Sequence, residues 1–451
     1  MAITSREGAG ARLSGQSDVT TTGKPVYYGW MIVVIAAAAM VATLPGRTHG
    51  LGMITERLLA DPAFGLDRVS YSNINLWATL IGAAFCLPCG RLIDRYGLRA
   101  VLTGTVVSLA VVVLAMTRLA GVALLFAAIT LTRGFGQSAL SVVSITMVGK
   151  WFSRKLSLAM ATYAVLMSLG FIGGSLWAKR YAAADWRVVW STMGLLLLLG
   201  MAPLGWLLTR NSPEQCGLLL DGNNLADASS SKTVVGHTLM QALRTPAFWV
   251  FGLSVSMYGL IASGISLFNE SILTERGFAV DVYYNLLALT TAIALLMKFP
   301  VGWLIGRMPI GRMLGASMLV LAGSLFWLPQ VETEPQLVLY AVGMGLSGAS
   351  VTVIFFTIWG RAYGRAYLGR IQGAAQMLTV FASALGPKIL AESQAQTGSY
   401  TPMFYTLAVV VSVLAVCAWF VPIPRPEQAV QRSHTLNPLP LTQDLPLTQE
   451  T

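Results

Sequence analysis

The chain has 451 residues, of which 55% are hydrophobic and 11% charged, with a formal net charge of +11. Soluble domains carry roughly 25% charged residues, so a soluble fold is excluded. A basic excess in a soluble protein would suggest nucleic acid; here the charges lie between long apolar blocks, which excludes that partner and makes the lipid bilayer the solvent.

Residues 1–26 are polar and lack the 7–15-residue apolar core of a cleavable signal peptide; they read as a disordered N-terminus. Apolar blocks long enough to span a bilayer as helices follow. Twelve are predicted, near 29–53, 72–92, 98–117, 121–149, 156–178, 188–209, 246–272, 284–305, 312–330, 335–358, 370–391 and 402–422. Span one ends in PGRTHG at 45–50, which brings Arg47 and His49 toward its outer third. Span two holds Cys86-Leu-Pro-Cys89 and runs into Gly90-Arg91-Leu92-Ile93-Asp94-Arg95-Tyr96-Gly97-Leu98-Arg99. A CxxC inside a span lacks the polar surroundings of a zinc or redox site, so these read as packing thiols. Arg133 stands in the middle of span four. The longest polar interruption, 210–245, separates six spans from six. Span seven ends in Asn269-Glu270, span eight carries Lys298 in KFPVG, and span eleven carries Lys388 after Gly386-Pro387. The tail after 422 is Pro-rich, repeats LPLTQ at 439–443 and 445–449, and is too poor in apolar residues to order itself.

Lys and Arg set the orientation. With the N-terminus inside, nineteen fall in cytoplasmic segments. Seven fall outside (Arg57, Arg68, Arg118, Lys179, Arg180, Arg187, Arg276), and four lie within spans. Both termini and the 210–245 segment are therefore expected in the cytoplasm, and the chain in an inner membrane.

The halves echo each other: Gly302-Trp303-Leu304-Ile305-Gly306-Arg307 follows span eight as the Gly90 stretch follows span two. Such repeats build transporters with a substrate site at their interface. The expected architecture is all-α, with twelve transmembrane helices in two pseudo-symmetric six-helix halves, 27–209 and 246–422. A cytoplasmic linker joins them, and the tail from 423 to 451 is expected to be disordered.

Gly90, Asp94, Arg95, Gly97 and Arg99 match in outline the G-x-x-x-D-R-x-G-R signature between spans two and three of the major facilitator superfamily, and Arg133 in LTRGFGQSA is similar to its span-four motif. Over 27–422 the chain resembles that superfamily. YYGW at 27–30, WFSRKLSLA at 151–159, PEQCG at 213–217 and KFPVG at 298–302 resemble its monocarboxylate porter and oxalate/formate exchanger branch. The resemblance implies that spans one, four, seven and ten surround a central cavity, with two, five, eight and eleven alongside. It also implies that the stretch Gly90, Asp94, Arg95, Gly97 and Arg99 acts as a conformational latch. A cation four residues before the span-eight glycine is linked in that branch to carboxylate binding, and Lys298 matches it. Three departures stand out. Ala294 replaces the acid found one turn earlier in animal carriers, Gly306 replaces the second-half acid, and span five, with Gly170-Phe171-Ile172-Gly173-Gly174, lacks the Gly-Pro of drug antiporters.

A charge at the bilayer centre costs about 2.5–3.5 kcal/mol on translocon scales, so intramembrane ionisable groups are functional by default. Arg133, Lys298, Arg47 and Lys388 qualify, and no Asp or Glu lies at comparable depth. An anionic small-molecule substrate would neutralise that field, with Arg133 and Lys298 holding it from opposite halves. Structural readings stay open: Arg133 bonded to neighbouring helices, Arg47 and Lys388 snorkelling. His49 and Glu270 are the proton-coupling candidates. Gln137, Ser141, Tyr258, Asn269, Thr357 and Gln376 are possible cavity polar groups. The expected function is secondary transport of a small organic anion, a monocarboxylate, coupled to protons or to a counter-substrate, by a monomer. The alternatives are an exporter of amphipathic compounds and, from another class, a membrane sensor. No HExxH, GxSxG or intramembrane carboxylate pair supports an enzyme, and no metal or cofactor is expected.

Overall fold

The computed structural model describes residues 27–180, 185–222 and 236–424; the segments 1–26, 181–184 and 425–451, and residues 223–235 of the 210–245 linker, lie outside the described residues. Eleven helices among the described residues are long and apolar enough to cross a membrane. They form spans two (Arg68–Ala83 and Cys86–Tyr96), three (Leu98–Met116), four (Val122–Trp151), five (Leu156–Arg180), six (Trp186–Leu208), seven (Pro246–Glu275), eight (Val280–Ile305), nine (Ile310–Gln330), ten (Glu334–Tyr363), eleven (Leu368–Thr397) and twelve (Thr401–Phe420).

Span one departs from the continuous helix expected over 29–53. It runs as a helix over Gly29–Val41, tightens into a turn over Leu44–Gly46 and resumes only over Thr48–Gly52, with Arg47 extended between them (φ −98°, ψ 156°). Pro45 has no N–H to continue the helix. A side chain on Gly46 would bring its Cβ within 2.4 Å of the Thr132 carbonyl oxygen and 2.8 Å of the Gln137 nitrogen. The break is therefore pressed against the backbone of span four. Span four answers by widening into a π-helix over Arg133–Leu140, a distortion that often marks functional sites.

The two sets of six spans meet along span two against eleven and span five against eight. Glycines at equivalent places make both contacts close. A Cβ on Gly90 would sit 2.4 Å from the Gly369 carbonyl oxygen, and one on Gly302 would sit 2.4 Å from the Ala161 Cβ. At the same end Arg365 Nη1 donates to the Lys150 carbonyl (2.7 Å). Tyr27 and the central segment lie there too, with the Tyr27 hydroxyl donating to the Trp151 carbonyl (3.0 Å). That end is shut.

The described part of the central segment is stapled to it. Asp221, in the left-handed region (φ 58°) that Asp tolerates better than most residues, accepts from the backbone N–H groups of Ser153 (3.1 Å), Arg154 (2.8 Å) and Lys155 (3.2 Å). These are donors left open at the start of span five. Asn211 Oδ1 accepts from Arg99 N (3.0 Å), and Glu214 pairs with Arg365 at 2.8 Å.

Candidate anion-binding site

The break in span one projects Arg47 toward spans four and five. Its Nε donates to Thr43 Oγ1 (2.7 Å), and its Nη2 reaches Ser141 Oγ (3.0 Å) and the Met40 sulfur (2.9 Å). The guanidinium lies 5.3 Å from the centre of the Phe171 ring on span five, within cation–π range. Beside it, Ser144 Oγ donates to the Ala36 carbonyl (2.6 Å) and is 2.8 Å from the Tyr163 hydroxyl. The Tyr163 ring meets Phe356 of span ten edge-on, 5.1 Å between centres.

Lys298 reaches the same face of span five from the other half. Its ammonium donates to the Ala164 carbonyl (3.3 Å) and to Ser168 Oγ, and the residue is only 7% exposed. Ser168 and Phe171 are three residues apart on a helix and hence neighbours on its surface. Span five is therefore contacted by one cation from each half, Lys298 at Ala164 and Ser168 and Arg47 at Phe171. Among the described side chains no carboxylate pairs with either.

Arg133 is enclosed differently. It is 2% exposed, and its Nη1 is shared among Gly46 O (3.3 Å), Thr48 Oγ1 (3.1 Å) and Gln137 Oε1 (2.9 Å), while Nη2 donates to Asn75 Oδ1 (2.9 Å). All these acceptors belong to the first six spans, so Arg133 does not share the span-five surface on which Arg47 and Lys298 converge. Lys388 is exposed on span eleven. The side chains of His49 and Glu270 lie outside the described residues. Thr357 bonds only within its own helix, to Val353 O (2.7 Å).

The signature between spans two and three forms a capping arrangement across the halves. Asp94 accepts from Lys150 Nζ (3.4 Å) and from the backbone N–H of Arg370 (3.3 Å), whose guanidinium is 3.6 Å away. Its partner is thus the start of span eleven, where the helix dipole favours an anion. Arg95 lies over Tyr96, and Arg99 stacks on Trp206 (4.2 Å) while donating to its carbonyl (2.6 Å). In the second half, where Gly306 has no side chain to offer, Asp221 from the central segment caps span five instead.

Two carboxyls outside the spans are perturbed. Burial acts to raise Glu214, but the Arg365 hydrogen bond and charge outweigh it and hold the group below its ordinary value. Asp61 is likewise lowered: burial opposes ionisation, and hydrogen bonds from Ala63 N and the Trp186 indole, with the Arg187 ion pair at 2.6 Å, prevail.

Sequence reasoning passed over Asn75, Thr48, Ser168, Phe171 and Asp221. The first two are lone polar residues whose role depends on where the break in span one falls. Ser168 and Phe171 carry no signal until span eight is laid beside span five.

The sequence profile of the Major Facilitator Superfamily matches residues 25–387. The chain is 27% identical over 382 residues to the 4-hydroxybenzoate transporter PcaK of Pseudomonas aeruginosa, covering 76% of this chain and 82% of that one. Among solved structures it resembles the human organic anion transporter MFSD10 (TETRAN), with a TM-score of 0.61 at 15% identity, covering 88% of this chain and 100% of that one. It also resembles a variant of the E. coli fucose:proton symporter FucP, with a TM-score of 0.64 at 14% identity, covering 87% and 98%. At such identities the two structures speak for the fold.

Proposed function

The chain belongs to the major facilitator superfamily, and from that premise we propose that it is a secondary active transporter for a small organic anion, a monocarboxylate, held between the halves by Arg47 and Lys298. The observation that carries this reading is the contact of both cations, one from each half, with neighbouring residues of span five, each partnered only by neutral groups. A carboxylate accepts charge-assisted bonds from both, stronger than those to a hydroxyl or carbonyl. The 4-hydroxybenzoate transporter to which the chain is similar in sequence is named for a substrate of this charge. Lys388 adds positive potential to the approach of an anion.

The protein works as a monomer in an inner membrane; its termini and central segment face the cytoplasm, an orientation that the nineteen-to-seven distribution of Lys and Arg supports. The shut end is then the cytoplasmic one, and the site opens outward. The stretch Gly90, Asp94, Arg95, Gly97 and Arg99 latches that end, with Asp94 released from span eleven when it opens. Coupling is to protons, through His49, Glu270 or the substrate's own carboxyl, or to a counter-substrate.

The test is counterflow into proteoliposomes with a panel of carboxylates including benzoate and 4-hydroxybenzoate, repeated under an imposed pH gradient. Uptake accelerated by the gradient identifies proton coupling, and uptake dependent only on internal anion identifies exchange. Counterflow of neutral solutes with none of any carboxylate sinks the reading.

A further inference from the structure

Arg133 touches the chain on both sides of Arg47. Its Nη1 reaches the carbonyl of Gly46 and the hydroxyl of Thr48, while Asn75 of span two and Gln137 of its own helix hold the same guanidinium from other directions. The residue between, Arg47, is the extended link joining the Leu44–Gly46 turn to the Thr48–Gly52 helix; its N–H donates back to Leu44 O (3.1 Å) and its carbonyl accepts from Leu51 N (3.0 Å), which ties it along span one but not against span four. Span four supplies the remaining restraints. Its backbone is packed against Gly46, and Ser141, one π-helical segment beyond Arg133, accepts from the Arg47 guanidinium. We infer that Arg133 is a positioning residue: it clamps the break in span one and thereby sets where Arg47 presents its charge to the anion.

The inference rests on the reading of Arg47 as an anion ligand, but its physical content is separable from it. A buried guanidinium bonded to four neutral acceptors is costly to desolvate; here those acceptors come from span one, span two and span four, so the one group ties three elements together.

The test reads Arg47 without any substrate. Membranes holding the full chain are treated with phenylglyoxal, an arginine-specific reagent, and adduct formation at Arg47 is quantified by peptide mass spectrometry. Arg133→Gln is expected to raise the rate at Arg47 about tenfold, the scale set by freeing a side chain from one or two hydrogen bonds. Thr48→Val, which keeps the shape and leaves Arg133 in place, is expected to give a smaller rise. The double variant should match Arg133→Gln alone, because the two groups act through one clamp. Thr48→Val keeps the experiment decisive if Arg133→Gln does not fold. An unchanged Arg47 rate in folded variants of either kind overturns the inference. In parallel, benzoate binding should be no weaker in Arg47→Gln/Arg133→Gln than in Arg47→Gln; a further loss in the double variant assigns Arg133 to direct contact and likewise overturns it. If the parent binds no carboxylate, the transport reading fails while the labelling result still decides this one.

Discussion

Replacing Lys298 with Gln tests the site at its most exposed assumption. The side chain is 7% exposed and its ammonium donates to Ala164 O and Ser168 Oγ of the opposite half. Gln can keep one of those bonds but no charge. A buried charge-assisted hydrogen bond is worth about 1.5–3 kcal/mol, and each 1.4 kcal/mol is tenfold in affinity. Carboxylate binding should therefore weaken about ten- to hundredfold. Lys298→Arg should retain part of the affinity, since the charge survives in a larger, planar head. Ser168→Ala removes only the neutral competitor for the ammonium, so it should leave carboxylate affinity unchanged or raise it. The assay is equilibrium binding of labelled benzoate or 4-hydroxybenzoate to purified protein, beside counterflow. If Lys298→Gln binds as tightly as the parent, Lys298 is a structural strut and the two-cation site is refuted; if Ser168→Ala weakens binding as much as Lys298→Gln, the contact with span five itself matters, not the charge offered to an anion.

Asp94→Asn should slow transport while leaving membrane insertion intact, because it removes the charge facing Lys150 and the start of span eleven but keeps the packing; turnover equal to the parent in proteoliposomes would reduce the motif to topology. Substitution at Gly306 should be milder, since Asp221 already caps span five. Glu214 is held below its ordinary value at the shut end, so its pair with Arg365 contributes fully above the unpaired carboxyl's pKa and is lost as pH falls through the lowered one. Accessibility of the cavity from the shut end, read by cysteine labelling, should rise at acidic pH in the parent and be already raised, without that acid step, in Arg365→Ala. The effect is modest, within about 1 kcal/mol, because Glu214 is partly exposed. Cys216, exposed in the central segment, should resist an impermeant maleimide added to intact cells and react in inverted vesicles; labelling from outside, absent in Cys216→Ser, would overturn the topology.

The spans were legible because two signals coincide at their ends. Apolar length defines each helix, and Lys or Arg clusters with glycine mark where it leaves the bilayer, as at Lys150–Lys155 and at Gly97. The break in span one was not: the apolar run to Val41 and the residues from Leu51 on frame PGRTHG as the end of one helix, and Pro45-Gly46 gains its meaning only from the backbone of span four beside it. The four intramembrane cations were visible one by one because charge in lipid is costly. Their grouping was not, since the residue that joins Lys298 to the Arg47 neighbourhood is Ser168, an ordinary span-five hydroxyl. Asp221 was hidden for another reason. A lone acid in a polar linker looks solvated, and only its left-handed backbone and the three N–H groups it accepts from reveal a cap.

An alternating-access carrier needs its substrate to bind some conformations better than others, since a ligand with equal affinity for all shifts nothing. The contacts of Lys298 supply such a difference. In the state described here its ammonium holds the two halves together through neutral acceptors on span five, bonds charged at one end only, whereas a bond to a carboxylate adds the attraction of an opposite charge. A carboxylate seated between Arg47 and Lys298 replaces the weaker ties with stronger ones that run through the substrate, so the halves remain joined while freed from that one registration. A gain of order 1–2 kcal/mol corresponds to about a five- to thirtyfold change in conformational populations. A neutral amide of the same shape offers no such gain. Benzamide should therefore compete with benzoate poorly and fail to protect introduced cavity cysteines from labelling, whereas benzoate should protect them. Equal protection by the two would show that shape alone, without the charge that Arg47 and Lys298 meet, moves this protein between its states.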